Sequence, residues 1–225
     1  MILKNDKQPL DRSSKRLGPA AIIKGSAVGA SVHLTTGDRI PIPGTGAAVW
    51  VADGNHPLSP LDALTWVDQC FGNVTKKIFS VQDIVDACDL EAGTNSRTID
   101  FLAIFGHGEA GFQGCGCGKH WEDTGAHSLC YNADGESHLS GSAGKILADL
   151  NDGVLSDSAQ ILLAGCNVGT GSEGDGLLTA VSAVLNGRAV LGFENSQIWW
   201  TGVLVGTLKV AQGTNITSSF SYLRI

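Results

Sequence analysis

Two stretches of the sequence, IDFLAIFG at residues 99–106 and AQILLAG at residues 159–165, decide the fold that it predicts. Each is a short, nearly continuous apolar run that is followed by glycine-rich sequence. Runs of this kind are typical of strands that are buried on both faces of a parallel sheet. Residues 47–53 (AAVWVAD) and 188–194 (RAVLGFE) have the same character. We therefore expect these runs to form one mostly parallel sheet.

Helical segments alternate with these strands along the chain. We expect helices over about 60–71, 81–90, 142–152 and 177–185, and a weak strand at Lys77–Ser80. The end of the chain is expected to hold a helix around 202–211 and a last strand near 218–225. Strands that alternate with helices imply right-handed crossovers, with helices on both faces of the sheet. The predicted fold class is therefore α/β, a three-layer sandwich.

The first part of the chain differs from the rest. Residues 1 to about 18 are polar, and short β-like pieces separated by glycines follow between Ala20 and Pro43. We therefore divide the chain into an N-terminal tail with a small β appendage, residues 1–45, and a main domain, residues 46–225.

Composition and charge exclude several classes of function. The chain is 43% hydrophobic and 16% charged, as in globular domains, and its net charge of −7 argues against nucleic acid as a partner. No apolar run reaches the roughly 18 residues of a membrane span, and the start has no signal-peptide core. The six cysteines are therefore expected to be reduced thiols, and the protein to be cytoplasmic or exported by a leaderless route.

Two reactive side chains follow the two strongest strands. The first strand ends in His107, which lies between two glycines, and the second ends in Cys166, which follows a glycine. Sites in parallel sheets form outside the carboxyl ends of the strands. A cysteine nucleophile reacts as the thiolate, and imidazole is its usual base. We therefore expect a His107–Cys166 dyad, with the backbone N–H groups of Gly108 and Cys166 as an oxyanion hole.

The motifs FLAIFGHGEAG and ILLAGCNVGTGSEGDG resemble those of the caspase, gingipain, legumain and clostripain clan of cysteine peptidases. They are most similar to its bacterial branches, such as the CHAT-type proteases and the self-processing domains of large toxins and adhesins. The resemblance covers about 47–200, and the interval from residue 107 to residue 166 is near the roughly 50 residues typical of caspases. It implies a caspase-like cysteine endopeptidase in which His107 transfers protons and Cys166 forms an acyl-enzyme.

The resemblance also implies a protein or peptide substrate, which relatives recognise in a pocket beside the cysteine loop. Several relatives that prefer arginine or lysine carry an acidic residue two positions before the cysteine, where this chain has Ala164. The sequence therefore supports neither that preference nor the aspartate preference of caspases. The remaining candidates for a substrate pocket are Glu173, Asp175, Glu194 and Trp199. Many relatives are latent, so an activating partner or a cut within the stretch 107–139 is expected to control activity.

Cysteines and histidines cluster soon after the dyad histidine. Cys115, Cys117, His120 and Cys130 are the candidate ligands of a structural zinc ion, because zinc prefers thiolate and imidazole. The C-x-C spacing is shorter than that of most zinc fingers, and the other interpretation is a glycine-rich loop with incidental thiols. The dyad itself requires no metal and no cofactor.

Two other functions remain open from the sequence. One is a catalytically silent caspase-like module that binds a partner protein, and the other is a structural domain stabilised by zinc at the Cys/His cluster. A thiol-reactive peptidyl probe distinguishes them. Labelling at Cys166 that depends on His107 indicates a peptidase, whereas labelling spread over the other thiols indicates the zinc domain.

Overall fold

A computed structural model describes residues 47–55, 75–116, 126–131, 139, 141–196 and 203–224. The tail and β appendage expected for residues 1–45 and the helix expected over 60–71 lie outside the described residues.

The strands of the described chain form two sheets. In chain order they are β1 (Ala47–Asp53), β2 (Thr75–Ile78), β3 (Ile99–Phe105), β4 (Gly108–Glu109), β5 (Phe112–Gly114), β6 (Ser128–Cys130), β7 (Leu155–Leu163), β8 (Ala189–Phe193), β9 (Val203–Gln212) and β10 (Asn215–Arg224). Seven of them form the main sheet in the order β10-β9-β8-β7-β3-β1-β2, and β4-β5-β6 form a small one. From β2 to β8 the main sheet is parallel, and β9 and β10 continue it antiparallel. The predicted α/β class and mostly parallel sheet are confirmed.

Three α-helices are described: α1 (Val81–Asn95), α2 (Ser142–Ala148) and α3 (Gly171–Val184). A short 3₁₀ turn, Asp149–Asn151, continues α2. Helix α1 begins where the sequence predicts it because Ser80 caps its first turn and accepts a hydrogen bond from the Asp83 backbone N–H. None of the described helices is long and apolar enough to cross a membrane.

The main sheet is buried on both faces. One face packs against all three described helices, with side chains such as Val51, Leu102 and Ile161 in the shared core. The opposite face carries Trp50 and Phe101, whose ring centroids lie 5.2 Å apart, and these side chains are buried as well. Burial of both faces is compatible with the expected three-layer sandwich and explains why the central strands are apolar throughout.

The helix expected around 202–211 is wrong, because this segment is strand β9. Leu208 and Val210 face the second core, which is the one that contains Trp50 and Phe101, whereas Ala211 faces the helices. Side chains that alternate in this way are typical of a strand. A two-residue turn at Gly213 joins β9 to β10, and the left-handed φ of 60° at Gly213 suits such a turn. Pairing with β8 and β10 therefore determines the conformation of this segment.

The glycine- and cysteine-rich stretch after His107 is partly ordered into the small sheet. Strands β4, β5 and β6 pair antiparallel, with Gly108 opposite Gln113 and Gln113 opposite Leu129. This sheet packs against α3, since a Cβ on Gly111 would lie 2.9 Å from the Glu173 Cβ. It thus places the segment after His107 beside the helix that follows Cys166.

Candidate active site

His107 and Cys166 occupy equivalent places at the ends of two neighbouring parallel strands. In the register of β3 and β7, Ile104 lies opposite Leu163, and the Ala164 N–H donates to the Ile104 carbonyl oxygen over 2.9 Å. Each of the two reactive residues lies three positions beyond this last aligned pair. The register therefore brings the two chain segments together at the carboxyl ends of the strands, where the sequence predicts a site.

The backbones of the two segments are in direct contact. A Cβ placed on Gly108 would lie 2.6 Å from the carbonyl carbon of Gly165 and 2.7 Å from the backbone nitrogen of Cys166. A Cβ placed on Gly165 would lie 2.7 Å from the Cα of Gly108. Real side chains do not approach this closely, so only glycine allows the histidine and cysteine segments to meet.

Both reactive side chains are half-buried. Cys166 is a thiol that forms no disulfide and retains some exposure, and the Nε2 atom of His107 is buried. A thiol in this situation is accessible to a small reagent or an extended peptide while most of its surroundings are protein.

The Gly108 N–H is directed away from strand β5. The Gly114 N–H donates to the His107 carbonyl oxygen over 2.7 Å, which makes Gly108 and Gln113 a non-hydrogen-bonded pair of the antiparallel ladder. Backbone groups of such a pair point outward from the two strands. The Gly108 amide is therefore not used in pairing with β5, and Gly108 itself lies against the Gly165–Cys166 peptide.

No protein-family model, curated protein or solved structure matches this chain. The chemistry of the site is therefore argued from the residues that the fold brings together. They are a histidine, a cysteine and two adjacent backbone amides at the carboxyl ends of buried parallel strands.

A buried glutamine, Gln113, joins the two segments. Its Oε1 accepts a hydrogen bond from the Gly165 N–H over 2.8 Å, and its Nε2 donates to the Gly114 carbonyl oxygen over 2.9 Å. The side chain is fully buried. Sequence reasoning missed this residue, because a single glutamine in a glycine-rich stretch gives no signal of long-range contact.

The loop after Cys166 is held against the end of β8. The Asn167 N–H donates to the Asn195 carbonyl oxygen over 3.1 Å, and the Gly169 N–H donates to the Phe193 carbonyl oxygen over 2.9 Å. Asn167 has a left-handed φ of 58°, which asparagine tolerates better than most residues. Its side-chain amide donates to Ser196 Oγ over 3.2 Å. The chain therefore turns sharply directly after the cysteine and then enters α3.

Two of the predicted pocket carboxylates share an internal cation. The Nζ of Lys209 lies 2.6 Å from Asp175 Oδ1 and 2.9 Å from Glu194 Oε1, and the lysine side chain is only 10% exposed. Burial by itself lowers the pKa of Lys209, but the hydrogen bonds to the two carboxylates outweigh it and hold that pKa above its ordinary value. The ammonium group thus offsets one of the two negative charges that this pair would otherwise offer to a substrate.

The other pocket candidates lie in different surroundings. Glu173, in the first turn of α3, is half-buried against Gly111 and has no ion pair among the residues that the structure describes. Ala164 is fully buried in the second core and faces no crevice. Trp199 lies outside the described residues.

The described part of the Cys/His cluster does not converge on one point. Cys130 lies opposite Phe112, whereas the Cys115 N–H donates to the His127 carbonyl oxygen, so the two cysteines point to opposite faces of the small sheet. Within the described ranges there is no group of three or more histidine, cysteine or acidic residues that could hold a metal. Cys117 and His120 lie outside those ranges.

Proposed function

We propose that this chain is a caspase-like cysteine endopeptidase that uses His107 and Cys166. The observation that supports the proposal most strongly is the contact between Gly108 and the Gly165–Cys166 backbone at the ends of adjacent parallel strands. A structural histidine and a structural cysteine would not require side-chain-free backbone on both of the segments that carry them.

The proposed reaction has two halves. His107 takes the proton of the Cys166 thiol, and the sulfur forms a bond to the carbonyl carbon of the substrate peptide. The C–N bond then breaks, the amine leaves with a proton from His107, and a thioester remains on Cys166. Water that loses a proton to His107 attacks the thioester, which releases the carboxylic acid and restores the thiol.

The backbone amides of Gly108 and Cys166 would stabilise the tetrahedral intermediates. The outward direction of the Gly108 N–H and its position beside the Cys166 nitrogen support this role. Loss of one such donor typically costs about 3 kcal/mol of transition-state stabilisation.

The substrate residue before the scissile bond would be selected without a strongly anionic pocket for a basic side chain. Lys209 already pairs with both Asp175 and Glu194 and offsets one of their two negative charges, and Ala164 offers no charge. Glu173 is the remaining pocket candidate among the residues that the structure describes. We therefore expect that Glu173→Gln changes the ratio of cleavage after basic and neutral residues more than Asp175→Asn does.

The test of the proposed function is cleavage of a peptide library by the wild type, Cys166→Ala and His107→Ala. Each substitution should abolish cleavage, and the double variant should be no worse, because the two residues act as a unit. Cys130→Ala is the matched control, since that thiol is also half-buried but lies on the small sheet. Cleavage by Cys166→Ala at more than a few per cent of the wild-type rate would contradict the mechanism.

An inert wild type calls for a second measurement, because relatives of this kind are often latent. The protein is then assayed after limited proteolysis and with candidate activating partners. If it stays inert and Cys166 resists alkylation, the chain is a silent module that binds a partner.

A further inference from the structure

We infer that Gln113 is a positioning residue that sets the distance and orientation between the cysteine and histidine segments. This inference rests on the proposed function and adds to it a residue that the resemblance does not supply. Gln113 forms no part of the dyad or of the oxyanion hole.

The carboxamide of Gln113 reaches both segments at once. Its Oε1 accepts a hydrogen bond from the N–H of Gly165, the residue directly before Cys166. Its Nε2 donates a hydrogen bond to the Gly114 carbonyl oxygen, and the Gly114 N–H donates in turn to the His107 carbonyl oxygen. A short chain of hydrogen bonds therefore connects the peptide before the nucleophile with the backbone of the base.

Only one orientation of the carboxamide satisfies both bonds. The Gly165 N–H requires an acceptor and the Gly114 carbonyl requires a donor, so a carboxamide fits where a carboxylate or an aliphatic chain does not. The group is fully buried, so water does not replace either bond.

The bond to Gly165 also determines the orientation of the Gly165–Cys166 peptide beside Gly108. Because the Gly165 N–H is occupied by Gln113, the next N–H along the chain, that of Cys166, is the one placed beside Gly108. Loss of the Gln113 bond would let the Gly165–Cys166 peptide rotate, which would displace both the sulfur and this amide. Displacements of about 1 Å typically cost about a hundredfold in rate.

The chain offers a matched control in a second buried glutamine. Gln160 in β7 is also fully buried, and within the described part of the chain neither side-chain amide atom has a hydrogen-bond partner. Gln160→Met removes a buried carboxamide on the strand that leads to Cys166 without removing a hydrogen bond of this kind. It should leave both the rate and the thermal stability near those of the wild type.

The test compares Gln113→Met, Gln113→Glu and Gln160→Met by peptide cleavage and by the pH dependence of Cys166 alkylation with iodoacetamide. We expect Gln113→Met to unfold cooperatively on heating, as a folded protein does. Its kcat should be about ten- to a hundredfold below that of the wild type with little change in KM, and the pH profile of its Cys166 alkylation should be shifted. We expect the rate of Gln113→Glu relative to wild type to rise as the pH falls, because a protonated carboxyl group can both accept and donate.

The outcomes separate this inference from the proposed function. If Gln113→Met is folded and keeps the wild-type kcat and alkylation profile, the positioning role is wrong and the dyad is unaffected. If Gln113→Met does not fold, the pH dependence of the Gln113→Glu ratio decides, and a flat ratio overturns the inference. If wild type shows neither cleavage nor alkylation that depends on His107, the proposed function fails and the positioning role fails with it.

Discussion

At the amino ends of strands β7 and β8 one long side chain fills the space between chain segments, whereas at the carboxyl ends of β3 and β7 two glycine backbones touch. The first region centres on Arg188, which is 6% exposed and donates to the backbone carbonyl oxygens of Leu155, Ser156 and Leu185 at 2.7–3.1 Å. Its guanidinium also donates to the Asn151 side chain over 2.6 Å. The second region has no side chain at the point of contact between Gly108 and Gly165.

The two regions contribute to different properties: the first to stability and the second to the proposed chemistry. The Arg188 guanidinium donates hydrogen bonds to carbonyl groups at the ends of packed segments, so its contribution is to the free energy of unfolding. The glycine contact contributes little burial, but it brings two reactive residues and two amides to one place. Substitutions at the amino end should therefore change stability, and substitutions at the carboxyl end should change activity.

The largest effect is expected for Arg188→Ala. The carbonyl oxygens of Leu155 and Ser156 lose their guanidinium donor and a buried side chain is removed, so the free energy of unfolding should fall by about 3–5 kcal/mol, while the activity of each folded molecule stays the same. Urea titration measures the first and active-site titration the second. Arg97→Ala, at an exposed arginine, is the control and should change stability by less than about 0.5 kcal/mol. If Arg188→Ala lowered the free energy of unfolding only slightly, the contrast between the two regions would be wrong.

Gly165→Ala should produce the opposite result. The added methyl group would lie 2.7 Å from the Gly108 Cα and 2.8 Å from Gln113 Oε1, so one segment must move. We expect kcat/KM to fall about a hundredfold with a modest loss of stability. Gly93→Ala is the control, because its Cβ would meet nothing within 4 Å. Wild-type activity in Gly165→Ala would show that the contact is incidental.

Lys209→Met is expected to have a smaller effect than either of these two substitutions. It leaves Asp175 and Glu194 without their shared cation, and because both carboxylates still reach solvent the free energy of unfolding should fall by about 1–2 kcal/mol. The raised pKa of Lys209 means that its contribution is complete below about pH 10.4 and is lost as the pH rises through the folded-state value. The stability difference between wild type and variant should therefore shrink above about pH 10.5. A difference that grows with pH would contradict the ion-pair assignment.

The smallest effect is a difference in thiol labelling. Burial, with a contribution from Asp89, raises the pKa of Cys88 to about 12, and burial and Glu109 raise the pKa of Cys130. Among Cys88, Cys130 and Cys166, iodoacetamide at neutral pH should therefore modify Cys166 first and Cys130 more slowly, and Cys88 only after unfolding. Mass spectrometry of the digested protein gives the order. Early modification of Cys88 would show that the helical face of the sheet opens readily.

The strands that carry the site were predictable because their signal is local. Short apolar runs at 99–106 and 159–165 correspond to β3 and β7, and the reactive residues follow them directly in the sequence. The helix expected over 177–185 begins earlier in the structure, because α3 starts at Gly171. Glycine has a low helix propensity, and the close packing of Gly174 on Gly169, which a Cβ would approach to 2.2 Å, outweighs that preference.

The sequence by itself determined the α/β class, the order of strands and helices around the site, and the two residues that we propose to carry the chemistry. Apolar runs, glycines and a histidine or cysteine at a run's end are all properties of neighbouring residues. Only the tertiary structure decided that β9 is a strand, that Lys209 pairs with both Asp175 and Glu194, and that Gln113 joins the cysteine and histidine segments. Each of these depends on a contact between residues far apart in the chain, and no local pattern encodes the partner of a strand, a cation or a buried carboxamide.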